Sequence, residues 1–325
     1  MDREAVIRHL GKDWTETQAL MREALDTDIE LLRKVNETVL SHKGKQLRPM
    51  LSLLFARACT SSPLPRRSIC YAAGAELLHN ATLIHDDVAD ESYSRRGFPT
   101  VLSMMGPSVA VLLGDFWLAR AVVTFSKNNP QQEVNDLFAK TLEDLAQGEL
   151  LQLEKAEKAD TDEAAYLRII YYKTASLFEA SCVSGAYSVD APRPYIDAAR
   201  KYAVALGLAF QIKDDILDYI GEPEIGKPLG SDLRERKITM PLLGAFRAKP
   251  SEEQRIREMI RGIGENPAAV DEIRAFVLEN GGVEYAEGRL EDYIREALEA
   301  LSAVPDSMSR RMLEELARYN SSRTV

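Results

Sequence analysis

Helix breakers recur along this chain at intervals the length of a helix. They fall at Pro63 and Pro65, Gly106-Pro107, Asn128-Asn129-Pro130, Pro192 and Pro194, across 221–230, and at Pro250, Asn266-Pro267, Asn280-Gly281-Gly282 and Pro305. The segments between them are rich in Ala, Leu, Glu and Arg, which are good helix formers, and period-two alternation is nearly absent. The chain has 325 residues, 45% of them hydrophobic, with no low-complexity linker and no solenoid repeat. That pattern predicts one all-α domain over 1–325, its helices packed around a central cavity. Segments 69–90, 106–127 and 198–218 are the most apolar and are expected to be inner helices. The more charged C-terminal stretch is expected to form outer ones.

Two copies of an acidic signature, DDxxD, interrupt this apolar background. One is Asp86-Asp87-Val88-Ala89-Asp90 and the other Asp214-Asp215-Ile216-Leu217-Asp218. On a helix the outer aspartates of each copy share a face, about 6 Å apart. Leu83 and Ile84 precede the first copy, and Phe210 and Ile212 the second, so each acidic tip is expected to end a buried helix. Carboxylates crowded in an apolar setting repel unless cations lie among them. A few hard oxygen ligands suit Mg²⁺, whose other positions go to water and phosphate oxygens. A lone DDxxD is more often a solvated helix end. Two copies, each closing an apolar helix, argue against that.

Basic residues flank the acidic ones. Lys45 and Arg48 lie in the turn Gly44-Lys45-Gln46-Leu47-Arg48-Pro49. Arg95 and Arg96 follow the first motif by about a turn. Lys173-Thr174 sits inside an apolar-aromatic run, and Lys227 and Lys237 lie in and beyond the Gly/Pro-rich loop after the second motif. Each alone is an ordinary surface charge. Together with the carboxylates they describe a diphosphate site, in which Mg²⁺ bridges carboxylate to phosphate and Lys or Arg takes the remaining oxygens.

Composition narrows the alternatives. A net charge of −10 argues against a general nucleic-acid binder. Cys59, Cys70 and Cys182 have no metal-ligand spacing and read as reduced thiols of a cytoplasmic protein. The charged start, Met1-Asp2-Arg3-Glu4, lacks a signal peptide's apolar stretch. The apolar run 109–118 is broken by Gly114 and Asp115 and reads as too short for an integral membrane segment. Glu76-Leu77-Leu78-His79 matches half of a di-iron ligand set, but no second Glu-x-x-His exists. Asp115 reads as a paired buried carboxylate, and His85 as a residue that only orients its neighbours.

The ordered motifs GKQLRP, HDDVADESYSRRG, GELLQL, YYKTASLFEA, FQIKDDILDY and GKPLGSDLRERKITMPLL, across 44–243, resemble the trans-isoprenyl diphosphate synthases, or polyprenyl synthetases. The resemblance implies the isoprenoid-synthase helical bundle and a homodimer. It implies head-to-tail condensation of isopentenyl diphosphate with an allylic diphosphate such as farnesyl or geranyl diphosphate. It also implies three Mg²⁺ ions per active site, drawn to Asp86, Asp87, Asp90, Asp214, Asp215 and Asp218. Arg95, Lys173 and Lys227 would then neutralise the leaving diphosphate, Lys237 would also bind substrate, and Lys45, Arg48, His79 and Arg96 would hold the second diphosphate. Thr174 and Gln211 would steady the allylic cation. Arg236 departs from the pattern, since many members carry Gly there.

Product length is expected to follow from the residues below the first motif. By resemblance, bulky aromatics at the positions of Ala81 and Thr82 stop the chain at farnesyl length. Both are small here, about 6–7.5 Å along the axis from Asp86, with Leu78 and Ala75 below, which implies products of about C30–C40. Rival readings are a short-chain synthase, a class I terpene cyclase and a non-catalytic synthase subunit. The last two are disfavoured by the second basic group and by the completeness of both acidic motifs.

Overall fold

The structure is a computed structural model describing residues 2–42, 44–95, 97–127, 131–221 and 229–323. Its first helices are α1 (Arg3–Leu10), α2 (Lys12–Ala24), α3 (Glu30–Ser41), α4 (Leu47–Cys59) and α5 (Arg66–Ala89). A short antiparallel hairpin follows, β1 (Ser94–Arg95) with β2 (Phe98–Pro99), then α6 (Val101–Met105), α7 (Pro107–Ser126) and α8 (Gln132–Lys158). Next come α9 (Glu163–Ile170), a π-helical turn over Tyr171–Ala175, α10 (Ser176–Ser188) and α11 (Arg193–Ile220). The chain finishes with α12 (Ser231–Arg234), α13 (Met240–Ala248), α14 (Glu253–Arg261), α15 (Ala269–Glu279), α16 (Gly282–Ala300) and α17 (Met308–Ser322). The expected all-α class is what the chain adopts; the two-residue strands of the hairpin carry no alternating pattern that would reveal them.

The contacts divide the chain into two compact units. The first comprises Met1–Phe138, Leu177–Arg200 and Leu301–Glu315. Its centre is α5, where Ile69, Tyr71, Ala72, Ala73, Ala75, Leu77, Leu78 and Ala81 are all buried. A helix apolar on every side can be satisfied only by neighbours on every side, and α2, α4 and α7 pack against it. Gly74 permits one close crossing: a Cβ there would lie 3.0 Å from that of Phe125, whose ring stacks on Phe138 at 4.3 Å.

Helix α7 corrects the expectation of a wholly inner helix. Val111, Leu112, Val122 and Val123 remain exposed along one face, Leu112 by 69%. It also corrects the expectation about its length, because at 20 residues and a mean hydropathy of 1.6 it is long and apolar enough to cross a membrane. Asp115 lies on the same face and is 63% exposed rather than buried.

The second unit comprises Ala139–Ser176, Lys201–Ala300 and Leu316–Val325. Within it α13 packs on α16, and Gly244 and Gly282 meet Tyr285 and Pro241 at distances no side chain would allow. Gly207 of α11 crosses the π-helical turn so closely that a Cβ would lie 2.7 Å from that of Ala175. That crossing sets the register of the candidate site described next.

Candidate active site

In the first unit, the acidic motif occupies the end of α5, and Asp90 is its C-cap residue. The three aspartates face different surroundings. Asp87 is buried and accepts from Arg95 Nε at 2.8 Å. Burial pushes its carboxyl above the usual range, against the pull of Arg95. Asp86 is half-buried and Asp90 exposed. The chain reverses just beyond, with Glu91 in the left-handed region at φ 48° and Ser92 N donating to the Asp87 carbonyl at 2.8 Å. Thus Arg95, brought back by the hairpin, pins the inner aspartate and leaves the outer two accessible.

His85 sits over Gly114 of α7, where any Cβ would collide with its ring. Its Nε2 lies 3.3 Å from Asp115 Oδ1. The end of α5 is therefore clasped to α7 beside the motif. Elsewhere in this unit Gln46 initiates α4 in the left-handed region at φ 51°. Lys45 is exposed, and half-buried Arg48 places its guanidinium 5.0 Å from the Phe178 ring centre. His79 is half-buried on α5. Arg96 lies outside the described residues.

In the second unit, a pocket of about 110 Å³ is lined by Gln152, Tyr166, Lys173, Gln211, Asp215 and Lys237, among others. A chain of hydrogen bonds runs along it. Tyr166 donates its phenol to Asp215 Oδ2 at 2.6 Å, and Gln211 Nε2 donates to Asp215 Oδ1 at 2.9 Å. Thr174 Oγ1 in turn donates to Gln211 Oε1 at 2.8 Å. Burial raises the Asp215 carboxyl well above its ordinary value, with Asp232 nearby adding to the effect. Both Asp215 oxygens thus have protein donors.

Asp218 is used differently. Its Oδ1 accepts from Ser231 N at 3.1 Å and from Ser231 Oγ at 2.7 Å, and its Oδ2 accepts from Asp232 N at 3.1 Å. It anchors the start of α12. Asp214, 41% exposed, accepts from Arg323 Nη2 at 2.5 Å, and the same nitrogen donates to the Phe210 carbonyl at 2.9 Å. The Arg323 guanidinium also lies over the Phe210 ring at 4.3 Å.

Lys173 and Thr174 occupy the π-helical turn, where the widened ring displaces side chains from α-helical register. Lys173 Nζ is 2.6 Å from Glu149 Oε1. Lys237 pairs with Glu235, and its backbone N–H donates to the Asp232 carbonyl at 2.8 Å. Arg236 holds φ 59°, a conformation that costs an L-residue about 1–2 kcal/mol. Glycine would avoid that strain; nothing in the structure explains why this sequence carries Arg there. Lys227 lies outside the described residues.

Among the described residues no group of three or more His, Cys, Asp or Glu side chains forms a ready-made metal cage. The donor set still fits Mg²⁺, which takes one or two carboxylates and keeps its other positions for water and phosphate. Asp86 is half-buried and Asp90 exposed in the first motif; in the second, Asp215 and Asp218 are engaged by protein donors and Asp214, though 41% exposed, also accepts from Arg323. Reading the sequence missed Tyr166, Arg323 and the pairing of Glu149 with Lys173. The motif GELLQL was the only signal for any of them, because Arg323 lies 109 positions from Asp214.

Residues 29–277 match the family model for polyprenyl synthetase. The chain is 35% identical to the all-trans-nonaprenyl-diphosphate synthase (geranyl-diphosphate specific) of Rhodobacter capsulatus, over 97% of this chain and 96% of that one. It is 34% identical to the octaprenyl diphosphate synthase of Escherichia coli, over 98% of each chain. The crystal structure of a polyprenyl synthase from Caulobacter crescentus, complexed with calcium and isoprenyl diphosphate, superposes with a TM-score of 0.91 at 33% identity, covering 100% of this chain and 98% of that one. The chain belongs to the polyprenyl synthetase family. It is a trans-prenyltransferase, an enzyme that elongates all-trans prenyl diphosphates.

Proposed function

We propose that the protein joins isopentenyl diphosphate to farnesyl or geranyl diphosphate and repeats the step to a long all-trans product. The observation that carries this reading is the division of labour within each acidic motif. The inner aspartate is buried and held by protein donors, while Asp86, Asp90 and Asp214 are less buried, Asp214 with Arg323 on one oxygen. Those three would hold Mg²⁺, three ions per active site, with Asp87, Asp215 and Asp218 as their supports. When bound, Mg²⁺ neutralises the allylic diphosphate and so favours ionisation of its C–O bond.

The chain's own residues divide the remaining work. Arg95, Lys173, Lys227 and Lys237 bind oxygens of the leaving diphosphate and stabilise its developing charge. Lys45, Arg48, His79 and Arg96 hold the diphosphate of isopentenyl diphosphate and aim its double bond, a positioning effect. Thr174 and Gln211 steady the allylic cation; Gln211 Oε1 is oriented for that by the hydrogen bonds at both ends of its amide. No protein base is needed, because the released diphosphate accepts the final proton.

The growing tail is proposed to follow α5 away from Asp86, past Thr82, Ala81 and Leu78. Ala81 and Leu78 are buried and non-aromatic. The absence of a bulky aromatic at Ala81 and Thr82 supports a tail that passes that level and products of about C30–C40. The exposed apolar face of α7 supports a homodimer, and that covering would suit a cytoplasmic protein.

The test is incubation with radiolabelled isopentenyl diphosphate, farnesyl diphosphate and Mg²⁺, followed by phosphatase and sizing of the alcohols. Long linear alcohols are expected from the wild type and short ones from Ala81→Phe. A wild-type product no longer than geranylgeranyl, cyclic hydrocarbons or an unchanged length in Ala81→Phe would overturn the reading.

A further inference from the structure

The GELLQL segment of α8 has no role in the mechanism above. Gly148 lies where α8 meets the π-helical turn, and a Cβ there would sit 2.8 Å from both Lys173 Cγ and Tyr172 Cβ. The next residue, Glu149, puts Oε1 2.6 Å from Lys173 Nζ. The two side chains are only 30% and 21% exposed. One turn further, Gln152 lines the same pocket as Lys173.

We propose that Glu149 is a positioning residue for Lys173, which it fixes for contact with the allylic diphosphate; this rests on the role assigned to Lys173 above. A lysine side chain is long and freely rotating, and its ammonium is a compact charge with three N–H donors. Unheld, it must be ordered each time a diphosphate arrives. Glu149 takes one N–H and fixes the stem, leaving two donors for phosphate oxygens. Gly148 is part of the same device: only a residue without a side chain lets α8 come close enough for Glu149 to reach. The widened turn completes it by carrying Lys173 out of α-helical register. An ion pair of merely structural value could have been placed at any surface turn. This one is built from a glycine contact, a π-helical turn and a partly shielded carboxylate, and it holds a lysine that lines the pocket.

The test compares wild type, Glu149→Ala, Glu149→Gln, Lys173→Ala and the double variant Glu149→Ala/Lys173→Ala. The measurements are kcat and KM for each substrate, calorimetric binding of inorganic pyrophosphate with Mg²⁺, and melting temperature. Glu149→Ala should lower kcat/KM for the allylic substrate by roughly ten- to hundredfold, the scale of a misplaced group, and leave KM for isopentenyl diphosphate and the melting temperature close to wild type. Glu149→Gln should recover part of the loss, because its amide oxygen still accepts one N–H. In the Lys173→Ala background, removing Glu149 should produce no further loss in turnover or pyrophosphate binding. Additive losses, or wild-type kinetics in Glu149→Ala, would overturn the proposal. If Lys173→Ala itself binds pyrophosphate and turns over normally, the assignment of Lys173 fails and this inference with it. If Lys173→Ala is impaired while Glu149→Ala is not, only this inference fails.

Discussion

The phenol of Tyr166 donates to Oδ2 of Asp215 at 2.6 Å, deep within the second unit. A buried carboxyl that lacks this donor is left with an unsatisfied oxygen, a loss of about 1–3 kcal/mol. Tyr166→Phe keeps the ring and removes only the hydroxyl. It is expected to lower the melting temperature measurably with unchanged helical circular dichroism. It should also reduce turnover, because Asp215 in turn orients the Gln211 amide. A melting curve superimposable on wild type would show that the bond contributes nothing.

Gly114→Ala places a methyl group where the His85 ring lies. Overpacking of this kind costs about 1–3 kcal/mol, and here it also separates His85 from Asp115. Lower stability and lower activity are expected. Adding His85→Ala should return most of the lost stability, since it removes the overlap, but not the activity. Thermal melts and initial rates of both variants check this; a double variant no more stable than Gly114→Ala would contradict the clasp.

Arg323 is 6% exposed and donates to both the Phe210 carbonyl and Asp214. Arg323→Met preserves much of the contact with the Phe210 ring but leaves that carbonyl without this donor. A loss of about 1–3 kcal/mol is expected, seen as an earlier urea midpoint at unchanged m-value. A midpoint identical to wild type would mean that the carbonyl finds another donor.

His9, on α1, is bonded to Ser309 at 2.7 Å. Partial desolvation, helped by the charge of Arg57, holds its imidazole below the ordinary value of 6.5. The unfolded chain therefore binds more protons than the folded one as pH falls through 6.5, so stability attributable to neutral His9 is present above that value and lost below it. Relative to His9→Gln, wild type should lose stability between pH 7 and about pH 5. Parallel stability curves across that range would show that His9 does not titrate differently on folding.

Much of the site could be read locally. The acidic motifs end the helices α5 and α11 because apolar runs lead into them, and Asp90 closes α5 as its spacing anticipated. Lys173 and Thr174 were also legible as residues, yet the π-helical turn that presents them was not, since nothing in the composition of 171–175 distinguishes it from α-helix. Asp115 was misjudged because its apolar neighbours suggested burial, whereas α7 turns that face outward.

The sequence by itself determined which segments are helical, where they break and which side chains carry charge, because period, breaker and residue type act over a few positions. Only the tertiary structure decided which aspartate in each motif is buried. Asp86 and Asp87 are chemically the same, as are Asp214 and Asp215. The difference comes from Arg95 returning through a hairpin to Asp87 and from Tyr166 of α9 reaching Asp215 of α11. Burial and a hydrogen-bond donor from elsewhere in the chain are non-local quantities, and they place chemically equal carboxylates in unlike surroundings.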